Sequence, residues 1–245
     1  MRYLCIVSYK GTNYQGWQKQ VSAPTIQGEI ERVFSKILNT CINIQGSGRT
    51  DAGVHAENQY FHFDYDKELD LGKFRYSVNC LLPNDIFIKD VKPVSDDFHA
   101  RYSAKGKTYT YILRFGERNP FNYEFEENIP QPIDIDIFIR ALKMFEGKHN
   151  FQDFTSKEED EDNYVREIYS IEINYLEKAR QMTVTLHGNG FMRYMIRNII
   201  GTSIAVASKK EDISFISYHL SEKNKREIVS YKAEPQGLFL VDVNY

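Results

Sequence analysis

A chain of 245 residues that is 42% hydrophobic and 27% charged carries enough apolar material for one large core or two smaller lobes. Its 31 basic and 34 acidic residues leave a formal charge of -3, so no whole-molecule field draws in a polyanion, and a nucleic-acid partner requires the cations to be gathered on one face. No apolar run approaches the roughly 20 residues of a membrane helix, and the start from Met1 to Val7 lacks the apolar core of a signal peptide, so the expected setting is cytoplasmic with no membrane partner. Cys5, Cys41 and Cys80 are odd in number and form no C-x-x-C pair, which argues against a disulfide framework or a zinc knuckle.

Tyr3 to Tyr9 reads as a first strand, followed by a loop from Lys10 to Gln20 rich in glycine and amides and holding the only tryptophan. Trp17 is either an aromatic plug over the core or one wall of a polar cleft. Ile26, Ile30, Val33, Phe34, Ile37 and Leu38 then form one stripe of an amphipathic helix, with Thr25 placed as its N-cap. Cys41 to Gln45 predicts a short strand leading into a glycine loop, and Gln59 to Asp64 a strand leaving it. A second helix from Leu71 ends near Pro83, a strand covers Ile86 to Val91, and Asp96 to Tyr102 makes a charged aromatic connector.

From Lys105 to Phe115 the alternation is clearest, with Tyr109, Tyr111, Leu113 and Phe115 on one face of a strand. Such a row is either core or a platform on which bases stack. A loop with prolines at 120, 130 and 132 separates a first lobe, residues 1–116, from a second, residues 117–245.

The second lobe opens with a helix carrying Ile135, Phe138, Ile139, Leu142 and Phe145, closed by Gly147. The acidic run from Lys157 to Asn163 is expected to be a solvated loop. Val165 to Leu176 and Ala179 to His187 form a hairpin around Glu177 and Lys178. An apolar helix runs from Met192 to Ala207, a short helix from Ile213 to Leu220, and a closing strand from Gly237 to Tyr245. Strands adjacent in sequence, without strict β-α alternation, predict an α+β fold with a largely antiparallel sheet.

The stretch most suited to chemistry is Gly46-Ser47-Gly48-Arg49-Thr50-Asp51-Ala52-Gly53-Val54-His55-Ala56. Its glycines permit sharp turns or close approach to a ligand. Asp51 has two readings: an Asx turn that accepts backbone N–H groups, or a carboxylate nucleophile or base. Arg49 orients that carboxylate or grips a phosphate with its planar fork. The glycine spacing fits neither the dinucleotide fingerprint nor a mononucleotide P-loop. The six histidines show no zinc-site spacing, and no carboxylate pair suggests glycoside hydrolysis. Arg193 and Arg197 stand at i, i+4 near the start of the apolar helix, where a buried cation demands a carboxylate partner, and Asp51 is a candidate.

Taken together, the 46–56 stretch, Tyr9 to Gln18, Asp97 to Ala104, Phe191 to Gly201 and Gly237 to Leu240 resemble, in order, the motifs of the tRNA pseudouridine synthase A family, which converts uridines at positions 38, 39 and 40 of the tRNA anticodon arm. The resemblance spans essentially the whole chain. It implies the pseudouridine synthase fold: two α+β lobes whose strands join in one sheet, with a cleft between them. It also implies a homodimer that binds the anticodon arm of tRNA, and no metal or organic cofactor. Asp51 is implied as the catalytic aspartate, Tyr109 as the wall against the target uracil, Arg49 as the group holding the nucleotide out of its stack, and Arg197 as the arginine paired with the aspartate.

The chain departs from the family at position 10, where Lys replaces a frequent Asp, and in its acidic net charge. One carboxylate can serve the reaction by adding to uracil carbon 6, by attacking the ribose anomeric carbon, or by removing the 2′ proton; the residues do not choose among these. Beside this cofactor-free RNA isomerase stands a non-catalytic RNA-binding module, which also uses sheet aromatics and basic residues. A nucleotide-cofactor enzyme is the third and weakest reading.

Overall fold

The computed structural model describes residues 1–156, 163–221 and 226–245. Residues 157–162 of the expected acidic loop therefore lie outside the described residues. The chain divides into two compact units, one formed by Met1–Lys105 with Phe239–Tyr245 and the other by Gly106–Leu238. They do not follow a simple cut at residue 116, because the tyrosine strand pairs along its length with strands that come later, while the last strand returns to the first unit.

In the first unit, β1 (Arg2–Tyr9) lies between two antiparallel partners, β3 (His55–Asp64) and β4 (Ile86–Val94), and β2 (Ile44–Gly46) adds to β3. Helix α1 (Ile26–Leu38) starts where the Thr25 hydroxyl accepts the Gly28 N–H, and it buries Ile26, Ile30, Val33 and Phe34. Phe34 then meets Phe63 of β3 and Phe74 of α2 (Leu71–Leu81) edge-on at 5.1 and 5.0 Å, a geometry that aromatic quadrupoles favour. The strand expected at 41–45 is confined to Ile44–Gly46. Helix side chains claim the main chain before it, Ser35 Oγ accepting from Ile42 N and Glu31 Oε1 from Ile44 N. Strand β3 begins at His55 rather than Gln59, since Ala56 already pairs with Tyr9.

The second unit is built on β5 (Gly106–Phe115), β9 (Gln181–Gly188), β8 (Val165–Leu176) and β7 (Gly147–Asn150), neighbours in that order and antiparallel wherever pairing joins β5 to β9, β9 to β8 and β8 to β7. A three-residue strand inside the proline loop, β6 (Glu127–Ile129), pairs parallel with β5 and is too short for alternation to reveal. Helix α3 (Ile135–Lys143) packs against α4 (Met195–Ala207), and α5 (Ser214–Leu220) follows. Gly147 does not close α3: the helix ends at Lys143, and Gly147, at φ +99°, opens β7. Helix α4 starts at Met195 instead of Met192, because Tyr194 adopts a left-handed backbone at φ 63°. Finally β10 (Leu238–Asn244) runs parallel to β3 through Phe239 and Leu240, in the first unit. The result is the expected α+β class with largely antiparallel pairing.

Candidate active site

The loop from Ser47 to Val54 is held from below by its own strand and from the side by the loop that follows β1. Ser47 N donates to Tyr60 O at 2.7 Å, Ser47 Oγ donates to Gln59 Oε1 at 2.5 Å, and Gln59 Nε2 donates to Gly48 O at 2.9 Å, with Ser47 and Gln59 fully buried. The turn itself is closed by its main chain, Val54 N donating to Asp51 O at 3.2 Å with Gly53 at φ +80°. Asp51 is half-buried and Arg49 is exposed.

The bracing loop, Gly11 to Trp17, lies along this segment backbone to backbone. A Cβ on Gly11 would stand 2.0 Å from Val54 O, and one on Gly16 would stand 2.6 Å from Thr50 O. Only glycine allows such an approach, and Gly16 also sits at φ +86°. Hydrogen bonds then fix the alignment: Trp17 N to Thr50 O at 3.1 Å, Gly53 N to Tyr14 O at 3.4 Å, and Gly11 N to His55 Nδ1 at 3.0 Å. Because His55 Nδ1 accepts, its neutral ring carries the proton on Nε2; the ring is buried and stacked on Phe239 at 4.7 Å. Thr50 shares a buried hydrogen bond with the Tyr9 hydroxyl at 2.8 Å. Trp17 is the core plug of the two readings: 2% exposed, it packs beside Tyr9 and Phe61 and under Gly46.

The other two expected site residues belong to the second unit. Tyr109 of β5 is buried at 7% exposure opposite Leu186 and meets Phe191 edge-on at 5.3 Å, so its ring is fixed by packing. Arg197 lies in the first turn of α4, and its backbone and side chain both bind Ala233: Ala233 N donates to Arg197 O at 2.9 Å and Arg197 Nε donates to Ala233 O at 2.8 Å. Arg193, expected on the same helix, precedes it.

Around Arg197 the structure gathers groups that periodicity did not single out for the site. Tyr111, two residues from Tyr109 on the same face, donates its hydroxyl to Glu127 Oε2 and Glu234 O, each at 2.6 Å, and Glu127 Oε1 accepts from Glu234 N at 3.3 Å. Burial pushes the Tyr111 phenol far above its usual range, with the Glu127 charge adding to it. Burial also raises the Glu127 carboxyl, while the Tyr111 hydrogen bond and the Arg197 charge pull it back. Residues 233 and 234 are thus clamped between the β5–β6 pair and the guanidinium. The signal for Tyr111 was present in the tyrosine strand; that for Glu127 was hidden in the proline loop.

The statistical model of the tRNA pseudouridine synthase family matches residues 5–103 and 141–245, which include Arg49, Asp51 and Arg197. The chain belongs to that family. Over the full chain it is 37% identical to the tRNA pseudouridine synthase A of Streptococcus uberis and 39% identical to that of Geobacillus sp., each aligned over 98% of its own length. It is 36% identical to the Staphylococcus aureus protein across 98% of this chain and 90% of that one. Membership makes the chain an isomerase of the pseudouridine synthase class. Tyr109 and Glu127 fall between the two matched segments of the family. No helix among the described residues is long and apolar enough to cross a membrane.

Proposed function

We propose that this chain isomerises uridine to pseudouridine at positions 38, 39 and 40 of the tRNA anticodon arm, with Asp51 as the catalytic carboxylate and no cofactor. The observation that supports it most is the bracing of the 47–54 loop by Gly11 and Gly16, whose backbone-to-backbone contacts hold Asp51 in a fixed place with Arg49 beside it. A rigid, half-buried carboxylate with a nearby cation is what nucleophilic or base catalysis needs.

In the reaction the N1–C1′ bond of the uridine breaks and a C5–C1′ bond forms. The C5 proton leaves and N1 gains one, so the product is an isomer. Asp51 either adds to carbon 6, attacks the anomeric carbon or removes the 2′ proton. A uridine in a stem must first be flipped out, at a cost of a few kcal/mol that backbone contacts offset. Arg49, exposed on that loop, keeps that nucleotide from restacking. Tyr109, held by Phe191, gives the detached uracil a flat wall against which it rotates, and Arg197 is a substrate-binding cation. The active species is a cytoplasmic homodimer.

Incubating the purified protein with unmodified tRNA transcript and mapping pseudouridine by carbodiimide labelling and primer extension tests this. Stops at 38, 39 and 40 are expected. Tight tRNA binding with no pseudouridine anywhere would instead identify a binding module.

A further inference from the structure

The loop that braces the 47–54 segment is itself anchored at a second point. In the turn between α2 and β4, Asp85 accepts from it twice: Lys10 N donates to Asp85 O at 2.9 Å, and the Tyr14 hydroxyl donates to Asp85 Oδ1 at 2.6 Å. Asp85 is in turn fixed by its neighbours. Ile86 N donates to Pro83 O at 3.0 Å, which closes the turn, and Ile86 is paired with Tyr9 in the sheet.

Tyr14 is the bridge. It is buried at 6% exposure, its N donates to Gly11 O at 3.0 Å, and its carbonyl accepts from Gly53 N at 3.4 Å. One residue thus bonds Asp85 by its side chain and, by its main chain, the glycine two positions after Asp51. The Gly53 bond is long and correspondingly weak, so the place at which Tyr14 is held decides whether it forms. Burial raises the Tyr14 phenol above its usual range, and the hydrogen bond to Asp85 with the charges of Asp85 and Glu29 raises it further, so the hydroxyl is a donor at neutral pH. Without the Asp85 side chain that buried donor loses its acceptor, a costly state from which the loop escapes by shifting.

We infer that Asp85 is a positioning residue for the isomerisation: acting through the Tyr14 hydroxyl, it sets the place of the Gly53 turn and so of the Asp51 carboxylate. The inference rests on the catalytic role of Asp51 put forward above. Its action is to accept one hydrogen bond, so an uncharged acceptor serves as well as a carboxylate.

The test is the single-turnover rate at saturating tRNA, with tRNA affinity and melting temperature, for wild type, Asp85→Ala, Asp85→Asn, Tyr14→Phe and the double variant Tyr14→Phe with Asp85→Ala. Asp85→Ala and Tyr14→Phe are each expected to lower the rate by about 10- to 100-fold, with affinity within about twofold of wild type. The double variant should lose no more than either single change, because both break the same bond. Asp85→Asn keeps Oδ1 as an acceptor and should restore the rate. Asp70→Ala serves as a loss of stability elsewhere in the same unit, since it removes the α2 N-cap in which Asp70 Oδ1 accepts from Lys73 N at 3.1 Å; its rate should match wild type.

The wild-type rate in folded Asp85→Ala overturns the inference whatever its melting temperature. So do additive losses in the double variant, an Asp85→Asn protein as slow as Asp85→Ala, or an equal loss in Asp70→Ala. Tyr14→Phe keeps the ring, and its rate decides the matter should Asp85→Ala not fold. Amide exchange at Gly53 reads the relay apart from the chemistry: it should quicken in Asp85→Ala and Tyr14→Phe, and unchanged exchange rejects the relay. Wild-type activity in Asp51→Asn would instead defeat the assignment of Asp51.

Discussion

Gly11 and Val54 approach so closely that a Cβ on the glycine would lie 2.0 Å from the Val54 carbonyl oxygen. The obstruction is backbone on both sides, so neither can swing away as a side chain would. Gly11→Ala is therefore expected to push the bracing loop off the loop from Ser47 to Val54. The stability loss should be about 3 kcal/mol, the upper part of the range for overpacking, with a larger relative loss of kcat than of tRNA affinity. Urea unfolding and single-turnover rates measure the two; near-wild-type values for both would mean that the loops are not held together as described.

A second close contact links Gly46 to Trp17, with a hypothetical Cβ 2.6 Å from the indole Nε1 and 2.8 Å from Cε2. Gly46→Ala should cost about 1–3 kcal/mol, and combining it with Trp17→Phe should cost less than the sum of the two single changes. Chemical denaturation of the four proteins in the cycle gives the coupling. Strict additivity would show that the ring does not fill the space against position 46.

Tyr111→Phe removes one hydroxyl that serves two acceptors, Glu127 Oε2 and Glu234 O, both at 2.6 Å. Burial of the Glu127 carboxyl makes the lost donor expensive, and a destabilisation of about 1–3 kcal/mol is expected. The variant should also loosen residues 233 and 234. Faster amide exchange at Ala233 is the direct readout, and protection equal to wild type would contradict the clamp.

His62 is buried on β3, its Nδ1 accepting from Ala100 N at 3.1 Å and its ring edge-on to His99. Burial lowers its pKa from 6.5 to about 4, helped by the Arg2 and His99 charges and opposed by Asp64. The unfolded chain thus binds the proton more readily than the folded one between about pH 6.5 and about 4. The stability this residue contributes is complete above the upper value and lost as pH falls to the lower, with a slope of at most about 1.4 kcal/mol per pH unit. His62→Asn keeps an acceptor for Ala100 and should flatten that part of the pH profile. An unaltered profile would assign the acid sensitivity to other groups.

Much of this fold was legible because it is local. The stripe of α1 and its Thr25 cap, and the long alternation of β8, follow from periodicity, and the structure reproduces them at Ile26–Leu38 and Val165–Leu176. The errors occur where a distant group decides a boundary: Tyr9 starts β3 early, and Ser35 and Glu31 take the main chain ahead of β2. The left-handed turn at Tyr194 also had no local signal, since tyrosine is not a residue from which a positive φ is inferred. In the site, Asp51 and Arg49 stood out as a motif. The reason for Gly11 and Gly16 became visible only with the neighbouring backbone in place, as did the hydrogen bond from Tyr14 to Asp85, from a distant segment.

The central claim is that the Asp51 carboxylate does the chemistry. Tritium release from tRNA labelled at uridine carbon 5 reads the bond change directly, and Asp51→Asn preserves the size of the side chain and the main-chain turn around it. The account predicts loss of release to background with tRNA affinity within a few-fold of wild type. Release at the wild-type rate from the folded Asp51→Asn protein would contradict it.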